Sequence, residues 1–307
     1  MMKRAALTIS AAVLICLCAG CGATSNTAVQ GSQTGQSAAS DAEQTKTIEG
    51  FRTLLSKSGA EKDALAEMSE DMPSLSKENA ASLLLAFEDY QEDALMQDTL
   101  VSDALAEKLH ASMEMPYSEA DLNNPDKIKD ADAKAQVQTI ADRGYKIIVP
   151  EGMYQAIIDY SAYRQFESGV TDDIAAYIEI EATESDNRTL EDAGIIIPIS
   201  DVYARACTCE DFLAEWPQSQ RAESVTRLYK TYVDSYFYGQ NNTPAFDYET
   251  KTLNQEFRDS YEAVAKDDTA VGKATAEYLK VLEKSGYKLT DDVSAYRDTL
   301  IAEIEGK

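Results

Sequence analysis

The stretch Ser76 to Met113, SKENAASLLLAFEDYQEDALMQDTLVSDALAEKLHASM, decides the fold class. Its apolar residues Leu84, Phe87, Ala94, Leu95, Val101, Leu105, Leu109 and Met113 recur mostly at three- and four-residue steps and their multiples, which gathers them on one helix face. Such a face must be buried. Ser76 stands where a hydroxyl accepts from the first free backbone N–H groups, so one long amphipathic helix starting there is expected.

The same grammar holds on both sides. Thr171 and Thr290 each precede Asp-Asp and an apolar residue, a capping hydroxyl followed by carboxylates that suit the positive end of a helix dipole. Gly59, Gly144, Gly169, Gly239 and Gly286 fall where periodic segments end, as helix-closing glycines do. Two β-branched runs interrupt the helices: YKIIVPEG from Tyr145 and GIIIPIS from Gly194. Proline and glycine limit both, so they read as connectors that can pair as one two-stranded ribbon. The expected class is mainly α: an irregular array of antiparallel helix pairs with at most a minor two-stranded β element.

Charge narrows the partners. Twenty-eight Lys and Arg against 54 Asp and Glu give −26. With no basic stripe to neutralise phosphates, nucleic acid is excluded as a partner. Cationic partners, divalent ions or solubility fit better. Of the five cysteines, three lie at 16, 18 and 21. Cys207 and Cys209, two apart on a helix, point to different faces and should not bridge. The single histidine, His110, cannot build a metal centre alone, and no cofactor motif is present.

The first twenty residues read as an export signal: Lys3 and Arg4, then an apolar run from Ala5 to Ala19 too short to span a bilayer comfortably. The run ends in Cys18-Ala19-Gly20-Cys21. This resembles the lipobox of bacterial lipoproteins, with Cys18 where that pattern prefers an aliphatic residue. The resemblance implies removal of residues 1–20 and a diacylglycerol on Cys21. It also implies attachment to the cell membrane on its extracytoplasmic face, for which two acyl chains suffice. An ordinary secretory signal is the alternative. Losing Lys3 and Arg4 would take the charge to about −28. Residues 21–46 are rich in Gly, Ser, Thr, Gln and Ala and read as a flexible linker averaging on the order of 25–30 Å. Residues 47–307 form the helical domain, with a candidate subdivision near 195–200.

In the last third, Ser200 is placed to cap a helix that ends near Trp216-Pro217, and a second runs from about Gln220 to Tyr238. About 25 residues here, CEDFLAEWPQSQRAESVTRLYKTYV, resemble the boundary between helices in tetratricopeptide-like repeats of envelope lipoproteins. That implies stacked helix pairs offering a concave docking face. No strict 34-residue self-similarity accompanies it.

Three clusters are candidates for chemistry. Tyr229, Tyr232 and Tyr236 share a helix face, and QNNTP leads to Phe246 and Tyr248. Tyr232, Tyr236, Phe246 and Tyr248 are the expected ligand-binding residues, because tyrosine offers apolar area and a hydroxyl together. The alternative is that these rings pack helices to one another. Glu167 in FESGV and Glu184 in ATESD resemble the Glu-Ser acid of lytic transglycosylases, but neither is followed by a Gly-Leu-Met-Gln-like segment. Both read as exposed helix-end carboxylates. Glu179, Glu181, Glu184, Asp186, Glu191 and Asp192 could supply oxygen ligands to calcium, yet no EF-hand spacing organises them and a solvated charge run is the reading adopted. With no nucleophile–base pair in view, the expectation is a non-enzymatic, lipid-anchored binding or assembly module for a protein or cell-wall component. A cell-wall glycan hydrolase is the alternative.

Overall fold

The computed structural model describes residues 40–97, 99–113 and 116–306. The signal at 1–20, Cys21 and most of the expected linker lie outside them. Ser37–Lys307 is one compact unit, so the subdivision expected near 195–200 is not made. Helices dominate. Among the described residues none is long and apolar enough to cross a membrane.

The first helix, α1 (Asp41–Leu55), begins six residues inside the expected linker. Ser40 Oγ accepts from Glu43 N at 3.4 Å while Glu43 Oε2 accepts from Ser40 N at 2.9 Å, a reciprocal box that satisfies two free donors. Gln44 on α1 then accepts from Ser76 N and Asn79 Nδ2 at 2.9 and 2.7 Å, tying α1 to the start of α3.

After α2 (Glu61–Asp71), α3 (Lys77–Gln97) starts at Ser76, whose Oγ accepts from Asn79 N at 3.3 Å. It buries Leu83, Leu84, Leu85 and Phe87 together with Glu88 and Gln91. The single long helix expected here is two. Ser102 caps α4 (Asp103–Ser112) by accepting from Leu105 N at 3.2 Å, a second start signal inside the apolar period.

Short α5 (Glu119–Leu122) and α6 (Ala131–Asp142) lead into β1 (Tyr145–Ile148) and β2 (Gln155–Ile158), antiparallel with Tyr145 opposite Ile158. Gly144, at φ +80°, opens the hairpin where a Cβ would stand 2.9 Å from Gln91 Nε2. A 3₁₀ run at Tyr160–Gly169 precedes α7 (Asp172–Asp186). The second β-branched run pairs locally: β3 (Leu190–Glu191) with β4 (Gly194–Ile195). The two runs therefore form separate hairpins instead of one shared ribbon, because each has a nearer partner across its own turn.

The last third holds α8 (Ile199–Glu215), α9 (Ala222–Tyr238), α10 (Gln255–Val264), α11 (Ala270–Lys284) and α12 (Asp291–Glu305). Pro198 precedes α8, so Ser200 lies in its first turn and does not cap it. A repeat stack would let each pair touch only its neighbours. Here α11 packs on α8 and α12 on α9, closing the helices into a bundle in place of a tetratricopeptide-like superhelix. Cys207 and Cys209 on α8 are free thiols, Cys209 buried.

The core is rich in tyrosine. Tyr145, Tyr163, Tyr232, Tyr236, Tyr261 and Tyr278 are all fully buried with Phe51, Phe87, Phe212, Phe237 and Phe257. Buried hydroxyls favour acceptors, which accounts for Glu88 at Tyr160 and Tyr177, Gln91 at Tyr163 and Glu61 at Tyr145.

Candidate functional site

Of the four expected ligand-binding residues, three are core. Tyr232 is buried and donates to Glu184 Oε2 at 2.8 Å. Tyr236 is wholly buried, its ring centroid 5.0 Å from that of Tyr261 and 5.5 Å from Tyr203. The face that Tyr229, Tyr232 and Tyr236 share is the one α9 turns inward, so the stripe serves packing, and Tyr232 also lines a cavity of about 110 Å³ with Arg205 and Thr208. Phe246 is also buried. Tyr248 is 60% exposed. Among the described residues, Tyr238 and Tyr248 are the only exposed aromatic rings, and both stand at one cavity.

That cavity, of about 300 Å³, is formed by the loop after α9 and the packed surface of α12, with Leu289 between them. Its lining includes Tyr238, Asn241, Phe246, Tyr248, Lys251 and Arg297. The loop is built rigidly. Gly239, at φ +73°, allows Ala245 N to donate to Tyr238 O at 3.1 Å; a Cβ there would meet Ala245 N and Thr243 O at 2.4 Å. Asn254 Nδ2 donates to Pro244 O at 2.6 Å and Tyr248 OH to Asn241 O at 3.0 Å. Asp247 Oδ1 accepts from Thr250 N and Thr250 Oγ1, both at 2.7 Å, which holds its carboxyl below the usual range. Lys251 is held at φ +56° by its N–H to Asp247 O and by Leu289 N on its carbonyl, at 2.9 and 2.8 Å.

Arg297 floors the site. Its guanidinium carbon lies 4.2 Å from the Tyr238 ring centroid and 5.9 Å from that of Phe246. Tyr238 OH donates to Asp298 Oδ1 at 3.0 Å, and burial followed by that bond pushes the phenol up to about 12.

Comparison with protein-family models, curated proteins and solved structures finds no match to this chain. Its chemistry must be read from its own residues.

A second assembly lies inside the protein. Glu88, fully buried on α3, accepts from Tyr160 OH at 2.8 Å, from Tyr177 OH, and from Arg221 Nε at 2.9 Å and Nη2 at 2.6 Å. Beside it Glu181 on α7 is pushed up to about 7 by burial and then by Glu88, Glu184 and Glu92. Glu184 accepts from Arg205 Nη1 at 2.6 Å, Thr189 Oγ1 at 2.6 Å and Tyr232 OH. It is therefore a half-buried junction and not the exposed helix-end carboxylate expected. Glu167 is half-buried and raised, first by burial and then by Glu179, but the 420 Å³ cavity beside it is lined by Gln165, Phe166, Ser168 and Gly169.

In the acidic run 179–192, Glu179, Asp186 and Asp192 are exposed as expected, while Glu181, Glu184 and Glu191 are half-buried, and much of the run is paired. Arg164 pairs with Glu179 at 3.0 Å and Asp186 at 3.1 Å, Lys146 with Asp186 at 2.7 Å, and Arg188 with Glu191 at 2.6 Å. Among the described residues no group of three His, Cys, Asp or Glu could hold a metal ion. Sequence reasoning missed Arg297, Lys251 and Glu88. The nearest signal was Gly239-Gln-Asn-Asn-Thr-Pro, which marked the turn without the helix that closes behind it.

Proposed function

We propose that the protein is a lipid-anchored, extracytoplasmic binding or assembly module. It is held to the cell membrane through Cys21 and engages a protein or cell-wall component through the cavity between the Gly239–Asn254 loop and α12. One observation carries the reading. The two exposed aromatic rings of the described chain converge on one rigid cavity, while the other rings are buried or half-buried in packing. Exposed aromatic anchors on a preorganised loop suit a binding surface, because little freedom is lost when a partner covers them. The anchor half rests on the lipobox-like Cys18-Ala19-Gly20-Cys21. The hydrolase alternative draws less support: Glu184 is committed to Arg205, Thr189 and Tyr232, and Glu167 does not line the neighbouring cavity.

Two measurements test it. Cys21→Ser should move the protein from the membrane to the soluble fraction, and labelled palmitate persisting on that variant refutes the anchor. A photo-reactive benzoylphenylalanine at 248 should capture one partner in intact cells, while the same group at exposed Met153 should not. Equal labelling from both positions, or none from 248, refutes the binding surface.

A further inference from the structure

Arg297 is 8% exposed, and its buried Nε has no hydrogen-bond partner. Its one carboxylate neighbour, Asp298 Oδ1, lies 3.8 Å from Nε, and that oxygen instead accepts from Tyr238. The other half-buried arginines behave differently. Arg188, Arg205 and Arg221 each meet a carboxylate at 2.6 Å. A guanidinium carries five donors, and leaving them unmet in a buried position is costly. The Tyr238 and Phe246 rings hold the guanidinium by its face, which uses none of its N–H groups. Tyr278 OH, buried nearby, has no acceptor of its own; burial raises its phenol and the Arg297 guanidinium pulls it the other way.

We propose that this cavity binds the carboxylate of a small organic acid, clamped by the Arg297 fork between the Tyr238 and Phe246 rings, with Lys251 at the mouth. The assignment rests on the binding role above only for where the ligand enters. Two cations line the cavity against one carboxylate, Asp247, whose Oδ1 is already occupied by the loop's own donors. The site is thus a cationic pocket in a chain of net charge −26. That background repels a dianion such as phosphate more than a monoanion. A planar carboxylate also matches both the fork and a slot walled by rings. The 300 Å³ volume fits an acid of small size, either amino-acyl or a sugar acid, and the test separates these sources.

The experiment is saturation-transfer NMR on the full-length protein with N-acetyl-alanine against its amide, and glucuronate against methyl glucoside. The acid that fits, about nine heavy atoms for N-acetyl-alanine or about thirteen for glucuronate, should bind with Kd of about 1 mM, and its neutral counterpart at least about tenfold more weakly. The acid that binds names the source. Arg297→Lys, which keeps charge and loses the fork, should weaken the acid by about tenfold. Lys251→Ala, at an exposed side chain, should cost about two- to fivefold and reduce the salt dependence. If Arg297→Lys fails to fold by circular dichroism, the acid-to-neutral ratio and Lys251→Ala decide. Acid and neutral probes binding equally, no probe binding, or parent-like acid affinity in the folded variants overturns the assignment. Failed probe binding with continued crosslinking from 248 overturns this inference alone. Lost crosslinking with intact probe binding overturns the proposed partner role alone.

Discussion

Replacing Glu88 by Gln should cost about 3 kcal/mol of stability, because the carboxylate is the shared acceptor for groups from three parts of the chain. Tyr160, Tyr177 and Arg221 all donate to it, and it has no exposure to water. Gln keeps the shape but replaces one acceptor oxygen with an NH₂ that faces donors. Removing one member of a buried charged pair typically costs about 3–5 kcal/mol. The lower end applies here, since Arg221 keeps Asp89 at 2.6 Å, an exposed partner worth less. For a domain of this size, about 2–4 °C per kcal/mol gives a Tm lowered by about 6–12 °C. Thermal melts followed by circular dichroism measure it. Arg221→Gln alone should also destabilise, and the double variant should melt higher than the two losses added together, by at least about 1 kcal/mol of coupling. A Glu88→Gln shift under about 2 °C, or simple additivity, refutes the view that this pair holds the interior together.

Gly239→Ala should destabilise the domain by about 2–4 kcal/mol, since its Cβ would meet backbone atoms at 2.4 Å and the glycine sits at φ +73°; a parent-like melt contradicts that geometry. Glu181 holds its proton to about pH 7 when folded against 4.5 when free, so between those values its contribution to stability falls as pH rises. Glu181→Gln should therefore leave the Tm near its parent value at pH 5 and raise it at pH 8, by up to about 2–3 kcal/mol; an equal effect at both pH values sinks the assignment. Phe246→Ala should cost about 3 kcal/mol in denaturant melts and Tyr248→Ala under about 0.5, the reverse order showing that the two rings have been misassigned between core and surface.

What the sequence disclosed was local. Ser76 and Thr290 cap helices as read, because a cap needs only the next three residues. The apolar period marked α3 but ran through the Ser102 break, since periodicity records a face and not whether the axis continues. The tyrosine stripe on α9 was legible as a stripe. What covers it was not, because the residues that bury it come from other helices. The Glu88–Arg221 pair spans 133 positions and Arg297 lies 51 after Phe246, so no pattern within one element relates either pair. Tyr248 emerged from both readings because a loop's aromatic residue has no periodic face to join. Glu167 and Glu184 looked exposed because helix-end carboxylates usually are, and only the positions of Arg205 and Glu179 showed otherwise.

The distance along the chain between Glu88 and Arg221 also sets an order of events. As the polypeptide leaves the ribosome head first, α3 is made well before the arginine that neutralises it. Throughout that interval α3 carries an apolar face with a carboxylate in its midst, and burying the face would strand the charge. The expected consequence is that the N-terminal half does not settle fully alone, although Tyr160 and Tyr177 already offer donors to Glu88. Closing the Glu88–Arg221 contact requires a long loop, which places it among the slower steps. A nascent chain stopped before residue 221 should remain open to protease over Lys77–Gln97, and emergence of the α9 start should close that window in a single transition.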